Sequence, residues 1–205
     1  MPAKQAKPVH SLYSPHPGFA MEAAFAAKLK EKSGKTLDEW IAIVKKSGPS
    51  TQSERRAWLK ENHGFTTNYA SFISERADGK GGAENYDPEA LVEAIFSGPK
   101  AALRPIYEEI LQFGLSLGSD VKVCPCATIV PFYRKHVFAQ VKAPSRSRID
   151  LGFAFGDMKA TGRLIETGGF AKKDRITHRI EIASPGQFDD EAKSWFRRAY
   201  ERDAP

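Results

Sequence analysis

IVPFYRKHVFAQVK (residues 129–142), IDLGFAF (149–155) and ITHRIEI (176–182) share one pattern. Apolar residues recur in them with a period of two. Ile149/Leu151/Phe153/Phe155, Ile176/His178/Ile180/Ile182, Val137/Ala139/Val141 and Ile129/Pro131/Tyr133 each define one face, and Val121/Val123 stand ahead of them. Successive side chains of a strand point to opposite faces, so these runs predict about five β-strands. The alternate positions carry Lys122, Arg134, Gln140, Lys142, Arg148, Asp150, Arg179 and Glu181. Apolar alternating with polar along strands joined by short connections predicts an antiparallel sheet with one covered face.

Upstream of the sheet the period is helical. Asp87-Pro88 supplies an N-cap with proline at the first helical position, and Leu91, Val92, Ile95 and Phe96 follow. Ser97-Gly98-Pro99 breaks this helix. A longer one with Ile106, Ile110, Leu111 and Leu115 on one side ends near Gly118. Downstream, Asp189-Asp190-Glu191 suit the positive end of a last helix that sets Trp195, Phe196 and Tyr200 over the sheet. Residues 87–205 therefore read as an α+β domain.

The N-terminal part reads as helices alone. Residues 1–16 carry Pro2, Pro8, Pro15, Lys4 and Lys7 with few large apolar groups, which predicts a disordered or loosely docked arm. A helix follows Pro17 and stops at Gly34, so residues 1–34 form an arm and a helix. Thr36-Leu-Asp-Glu39 is a capping box ahead of Leu37, Trp40, Ile41 and Val44. Thr51-Gln-Ser-Glu54 repeats the device, with a stop at Gly64, and Thr66 is the expected cap of a further helix carrying Tyr69, Phe72, Ile73 and Arg76. Residues 35–76 thus form a small helical domain. ADGKGGAENY, from Ala77 to Tyr86, has three glycines and no aliphatic run, the composition of a flexible linker.

With 205 residues, 41% apolar and 27% charged, the chain holds one ordinary core plus a smaller one and is too polar to span a bilayer. The apolar stretch from Phe19 to Leu29 is interrupted by Glu22 and Lys28, which fits neither a signal peptide nor a membrane helix. Two cysteines with a proline between them make no disulfide framework, so a reducing cytoplasm is the expected compartment.

The charge is unevenly spread. From Tyr133 to Arg179 eleven Lys/Arg face four Asp/Glu, a balance of +7, while the whole chain is +6. Such a local field attracts anions, whether nucleic acid, a phosphorylated small molecule or an acidic partner. The candidate anion-binding residues are Arg134, Lys142, Arg148, Arg179, Lys172 and Lys173, with Tyr133, His136 and Phe138 as candidate pocket residues beside them. Basic and aromatic groups on one sheet face are what RNA- and single-strand-binding sheets use. The competing reading is cross-strand ion pairing of Arg148 and Arg179 with Asp150 and Glu181 on a solvated face.

Other sites are weaker. The bundle from Thr36 to Arg76 has the outline of a helix-turn-helix but a charge of only +1, which argues for a packing or docking module. The glycine- and lysine-rich segment 156–175 fits no phosphate-loop spacing and reads as a long surface loop. Cys124-Pro-Cys126, with His136 as the nearby histidine, falls short of the four ligands zinc requires, so no metal and no cofactor is expected. No nucleophile elbow, Walker-type loop or helical histidine pair is present.

Longer patterns carry a resemblance. TLDEWIAIVKKSG, RAWLK and HGF resemble a small bacterial helical domain of unknown function. LGSDVKV, IVPFYRKHVFAQV, IDLGF, HRIEI and FDDEAKSWFRRAY are similar to a second bacterial domain of unknown function, some members of which are labelled predicted transport proteins. The resemblance implies a two-domain architecture and brings no catalytic residue with it. Three functions are consistent with this reading. The first is a non-enzymatic binding or accessory protein whose basic sheet domain contacts a polyanion such as nucleic acid. The second is a small-molecule-binding domain or enzyme with a pocket anchored by Tyr133, His136, Arg148 and Arg179, and the third is an interaction scaffold.

Overall fold

A computed structural model describes residues 12–204. They form two compact units, residues 15–86 and residues 87–204 together with 12–14. Residues 1–11 of the expected arm lie outside the described residues. Its end docks on the second unit, where the Tyr13 and Tyr107 hydroxyls share a hydrogen bond at 3.0 Å and Ser14 N–H donates to the Val123 carbonyl at 2.8 Å.

The first unit contains α1 (Gly18–Ser33), α2 (Leu37–Ser47), α3 (Gln52–His63) and α4 (Thr67–Ala77). Its start and stop signals are local chemistry. Thr36 Oγ1 accepts the Glu39 N–H at 3.3 Å while the Glu39 carboxylate accepts the Thr36 N–H at 2.7 Å, which completes the capping box and holds the Glu39 carboxyl below its usual range. At α3 only half the device forms: Thr51 Oγ1 accepts from Glu54 N–H, but the Glu54 carboxylate takes the Thr51 hydroxyl. Thr66 caps α4 through its backbone position without a side-chain bond. Gly64 ends α3 at φ +69°, a conformation that favours glycine. Leu29 of α1, Trp40 and Val44 of α2, Leu59 of α3 and Ile73 of α4 close one core. The glycine-rich segment after α4 is tied to this unit, since Gly82 N–H donates to Glu22 at 3.0 Å and Arg76 pairs with Glu84 at 2.9 Å.

The second unit runs α5 (Pro88–Ile95), a 3₁₀ turn (Gly98–Leu103) and α6 (Arg104–Ser116). A sheet of β1 (Lys122–Val123), β2 (Ile129–Tyr133), β3 (Val137–Lys142), β4 (Ile149–Phe153), β5 (Ile165–Glu166) and β6 (His178–Ile182) follows, and then α7 (Asp190–Arg202). The strand order is β1-β2-β3-β4-β6-β5 and every pairing is antiparallel. The α+β architecture expected from the sequence is the observed one. No described helix is long and apolar enough to cross a membrane.

Three expectations about the sheet are corrected. In β2 the inward face is Val130 and Phe132, opposite Val141 and Ala139, rather than Ile129/Pro131/Tyr133. All five residues of β2 are apolar or aromatic, so alternation alone assigns no phase, and pairing with β3 decides it. Phe138, expected on the polar face, is fully buried with its ring 5.9 Å from Phe196. A register shift between Phe132 and Tyr133 disrupts regular alternation opposite it, as a bulge does. Finally, the expected loop 156–175 contributes β5, which pairs Ile165 with Arg179.

One aromatic cluster anchors the helices to the sheet. Phe196 of α7 lies 5.1 Å from Phe132, 5.9 Å from Phe113 and 6.1 Å from Phe153. Gly114 of α6 permits this approach, because a Cβ there would collide with the Phe132 and Phe196 rings.

Candidate anion-binding site

Lys142 ends β3 opposite Ile129, the first residue of β2. This register brings the β1–β2 connection (Ala127, Thr128) beside the start of the β3–β4 connection (Ala143, Pro144, Arg146). The third wall is the end of α5 and the break after it, with Ile95, Ser97, Pro99 and Lys100. The break places Lys100 so that its Nζ donates to the Ala143 carbonyl at 2.6 Å, which spans the two walls and leaves further ammonium protons free. The groove is about 460 Å³. Lys100, Lys142 and Arg146 line it and no carboxylate does. Three like charges around one groove repel one another, and an anion bound among them relieves that repulsion.

The other anion-binding candidates lie elsewhere. Arg148 and Arg179 are engaged with carboxylates. Arg148 Nε lies 2.8 Å from Asp150 Oδ1 and its Nη1 3.1 Å from Glu181 Oε1, while Arg179 Nη2 lies 3.0 Å from Glu181 Oε1 and its Nε 3.5 Å from Asp150 Oδ2. Two cations and two anions make a closed, neutral network across β4 and β6. Asp150 is at its centre with 13% of its side chain exposed. The cross-strand pairing weighed from the sequence is therefore the arrangement present. Arg134 pairs with Asp120 at 2.7 Å and lies 4.2 Å from the Tyr200 ring centroid. Arg134 and Tyr200 together hold the Asp120 carboxyl below its usual range. Lys172 and Lys173 are exposed on the turn before β6, with Lys173 at φ +61°.

The four pocket anchors do not converge. Tyr133 and Val137 pair at one end of the β2–β3 hairpin, whereas Arg148 precedes β4 at the end where Lys142 pairs with Asp150. The six residues of β3 put roughly 17 Å between those ends at a strand's rise per residue. His136 is instead a tether. Its N–H donates to Asp203 Oδ2 at 2.7 Å and its Nδ1 lies 3.1 Å from Oδ1, which also accepts from Arg175 at 2.7 Å. His178 is buried, with Nε2 2.7 Å from the Met158 carbonyl and Nδ1 2.8 Å from the Thr177 hydroxyl.

The cysteines sit at the rim of the sheet. Cys124 N–H donates to the Pro131 carbonyl and Cys126 N–H to that of Ile129. Burial, with the neighbouring Cys126 sulfur, pushes the Cys124 thiol up to about 11, and burial raises Cys126. Both thiols are therefore expected to stay protonated at neutral pH and to alkylate more slowly than in the unfolded chain. Below the Cys124 pKa its rate should rise about tenfold per pH unit, because the thiolate is the nucleophile. Mass spectrometry of iodoacetamide-treated protein between pH 7 and 10 checks this, and modification at pH 7 as fast as in denaturant contradicts it.

Sequence reasoning missed two members of the groove. Arg146 lies in the basic stretch, and its signal is the connection APSRSR (residues 143–148), which carries two arginines and no acid. Lys100 is 42 residues from Lys142, and only the tertiary fold brings them together. A profile of the domain of unknown function DUF5655 matches residues 92–203, and one of the domain of unknown function DUF4287 matches residues 22–79. No curated protein and no solved structure matches the chain.

Proposed function

The chain belongs to the family of the domain of unknown function DUF5655, and from that premise we propose that it is a cytoplasmic, non-enzymatic binding or accessory protein whose second unit holds an anionic partner in the Lys100–Lys142–Arg146 groove. Three cations from two separate segments, Lys100 after α5 and Lys142 with Arg146 at and just after the end of β3, with no carboxylate among them, support this reading more directly than the sheet face, whose arginines are neutralised. Nucleic acid is the polyanion that suits the groove best. Lys142 and Arg146 are exposed to reach successive phosphates, and Pro99 and Pro144 offer apolar surface to sugars.

The test is the salt dependence of binding between the full chain and a fluorescent single-stranded oligonucleotide. Three phosphate contacts predict a slope of log K against log salt of about −2, since each contact on a single strand releases about 0.7 of a counterion. Binding that ignores salt, or no binding at 50 mM salt, overturns the proposal.

A further inference from the structure

The first unit has a cleft of its own, of about 670 Å³, within the range of small-ligand sites. Its rings are held against one another, Phe65 and Tyr69 at 31° and 6.2 Å and the others more steeply. His63 stands edge-on to Trp40 at 4.9 Å and to Trp58 at 4.5 Å, and Phe65 meets Trp40 at 4.8 Å and 82°. Trp40 is itself fixed by its indole N–H, which donates to Ser33 Oγ at 2.7 Å. These contacts hold the exposed His63 ring and the half-buried Phe65 ring at the cleft, so both rings are ordered before anything binds. Gly64 lies between them, and a Cβ on it would meet no atom within 4 Å, so the backbone itself opens onto the cleft. Lys32 and Lys35, both exposed, also line the cleft, and no carboxylate does. Lys32 Nζ lies 5.1 Å from the Tyr69 ring centroid, a cation resting on an aromatic wall.

We infer that this cleft binds a nucleotide, its base stacked on Phe65 and His63 and its phosphate held by Lys32 and Lys35. Stable planar faces answer an aromatic base, which any π-system can stack on. Two exposed lysines answer a phosphate, the carboxylate near Lys35, that of Glu39, being held in the capping box at Thr36. An acidic peptide would satisfy the lysines but make no use of the flat faces. The inference is independent of the groove in the second unit, because it rests on different residues of a different unit.

The experiment titrates full-length protein carrying Trp195→Phe, so that the remaining tryptophan fluorescence comes from Trp40 and Trp58, with adenosine monophosphate. Saturable quenching is expected. Adenosine should bind about tenfold more weakly, and inorganic phosphate should leave the fluorescence unchanged. Lys32→Glu/Lys35→Glu should lose at least about tenfold in affinity with an unaltered thermal transition, and the milder Lys32→Gln/Lys35→Gln should show the same direction. Lys142→Gln/Arg146→Gln should bind adenosine monophosphate as the parent does, which separates this site from the groove. The inference is overturned by the absence of saturable quenching at millimolar nucleotide, by full affinity in the Lys32/Lys35 variants, by loss of affinity in the Lys142/Arg146 variant, or by an acidic peptide binding where the nucleotide does not.

Discussion

Replacing Lys142 and Arg146 together by glutamine should cut the salt slope of oligonucleotide binding from about −2 to about −0.7, because one phosphate contact then remains of three. At 0.1 M salt the same loss of two contacts weakens binding roughly twentyfold. Both residues are exposed at a strand end and in a connection, so their removal leaves the core untouched and the thermal transition in place. The informative contrast is Lys172→Gln/Lys173→Gln, which removes the same charge from an exposed turn outside the groove. That variant should keep the slope near −2. If the two pairs behave alike, binding follows overall charge, and the groove has no special part in it.

The second large effect is on stability. Phe196→Ala should destabilise the second unit by about 3–5 kcal/mol, the usual cost of truncating a buried aromatic to alanine and leaving a cavity. Phe196 is fully buried, and the rings of Phe113, Phe132, Phe138 and Phe153, drawn from α6, β2, β3 and β4, all lie within 6.1 Å of its centroid. Its removal therefore loosens the joint between helices and sheet rather than one local contact. Arg104→Ala, which breaks exposed pairs with Glu93 and Glu108, should cost no more than about 1 kcal/mol. Urea unfolding of the full chain distinguishes these cases. A Phe196→Ala loss as small as that of Arg104→Ala would contradict the packing described.

How far the fold was legible depends on whether its cause was local. The capping box at Thr36, the glycine stop at Gly64 and the Asp87-Pro88 start act over three or four residues, and each is present as read. The alternation of β4 and β6 was legible because polar residues interrupt the apolar ones. In β2 nothing interrupts them, and the phase came from pairing across the sheet. Phe138 shows the same limit, since the register irregularity opposite it has no sequence signature of its own. β5 is two residues long, too short for any period to register. At the candidate site the sequence showed that positive charge was concentrated here, but not which charges were spent. Asp150 and Glu181 stand in the sequence as partners of Arg148 and Arg179, and their pairing neutralises both arginines. Lys100 entered only through the fold, because α5 and the turn after it pack beside a hairpin that comes later in the chain.

An anion is expected to bind in the groove and not on the paired arginine face. Chemical-shift mapping of the isotopically labelled full chain during titration with a short oligothymidylate tests it most directly. The largest backbone shifts should fall on Thr128, Lys142, Ala143, Arg146 and Lys100 and disappear at high salt. Shifts centred on Asp150, Arg179 and Glu181, with the groove unchanged, would contradict it.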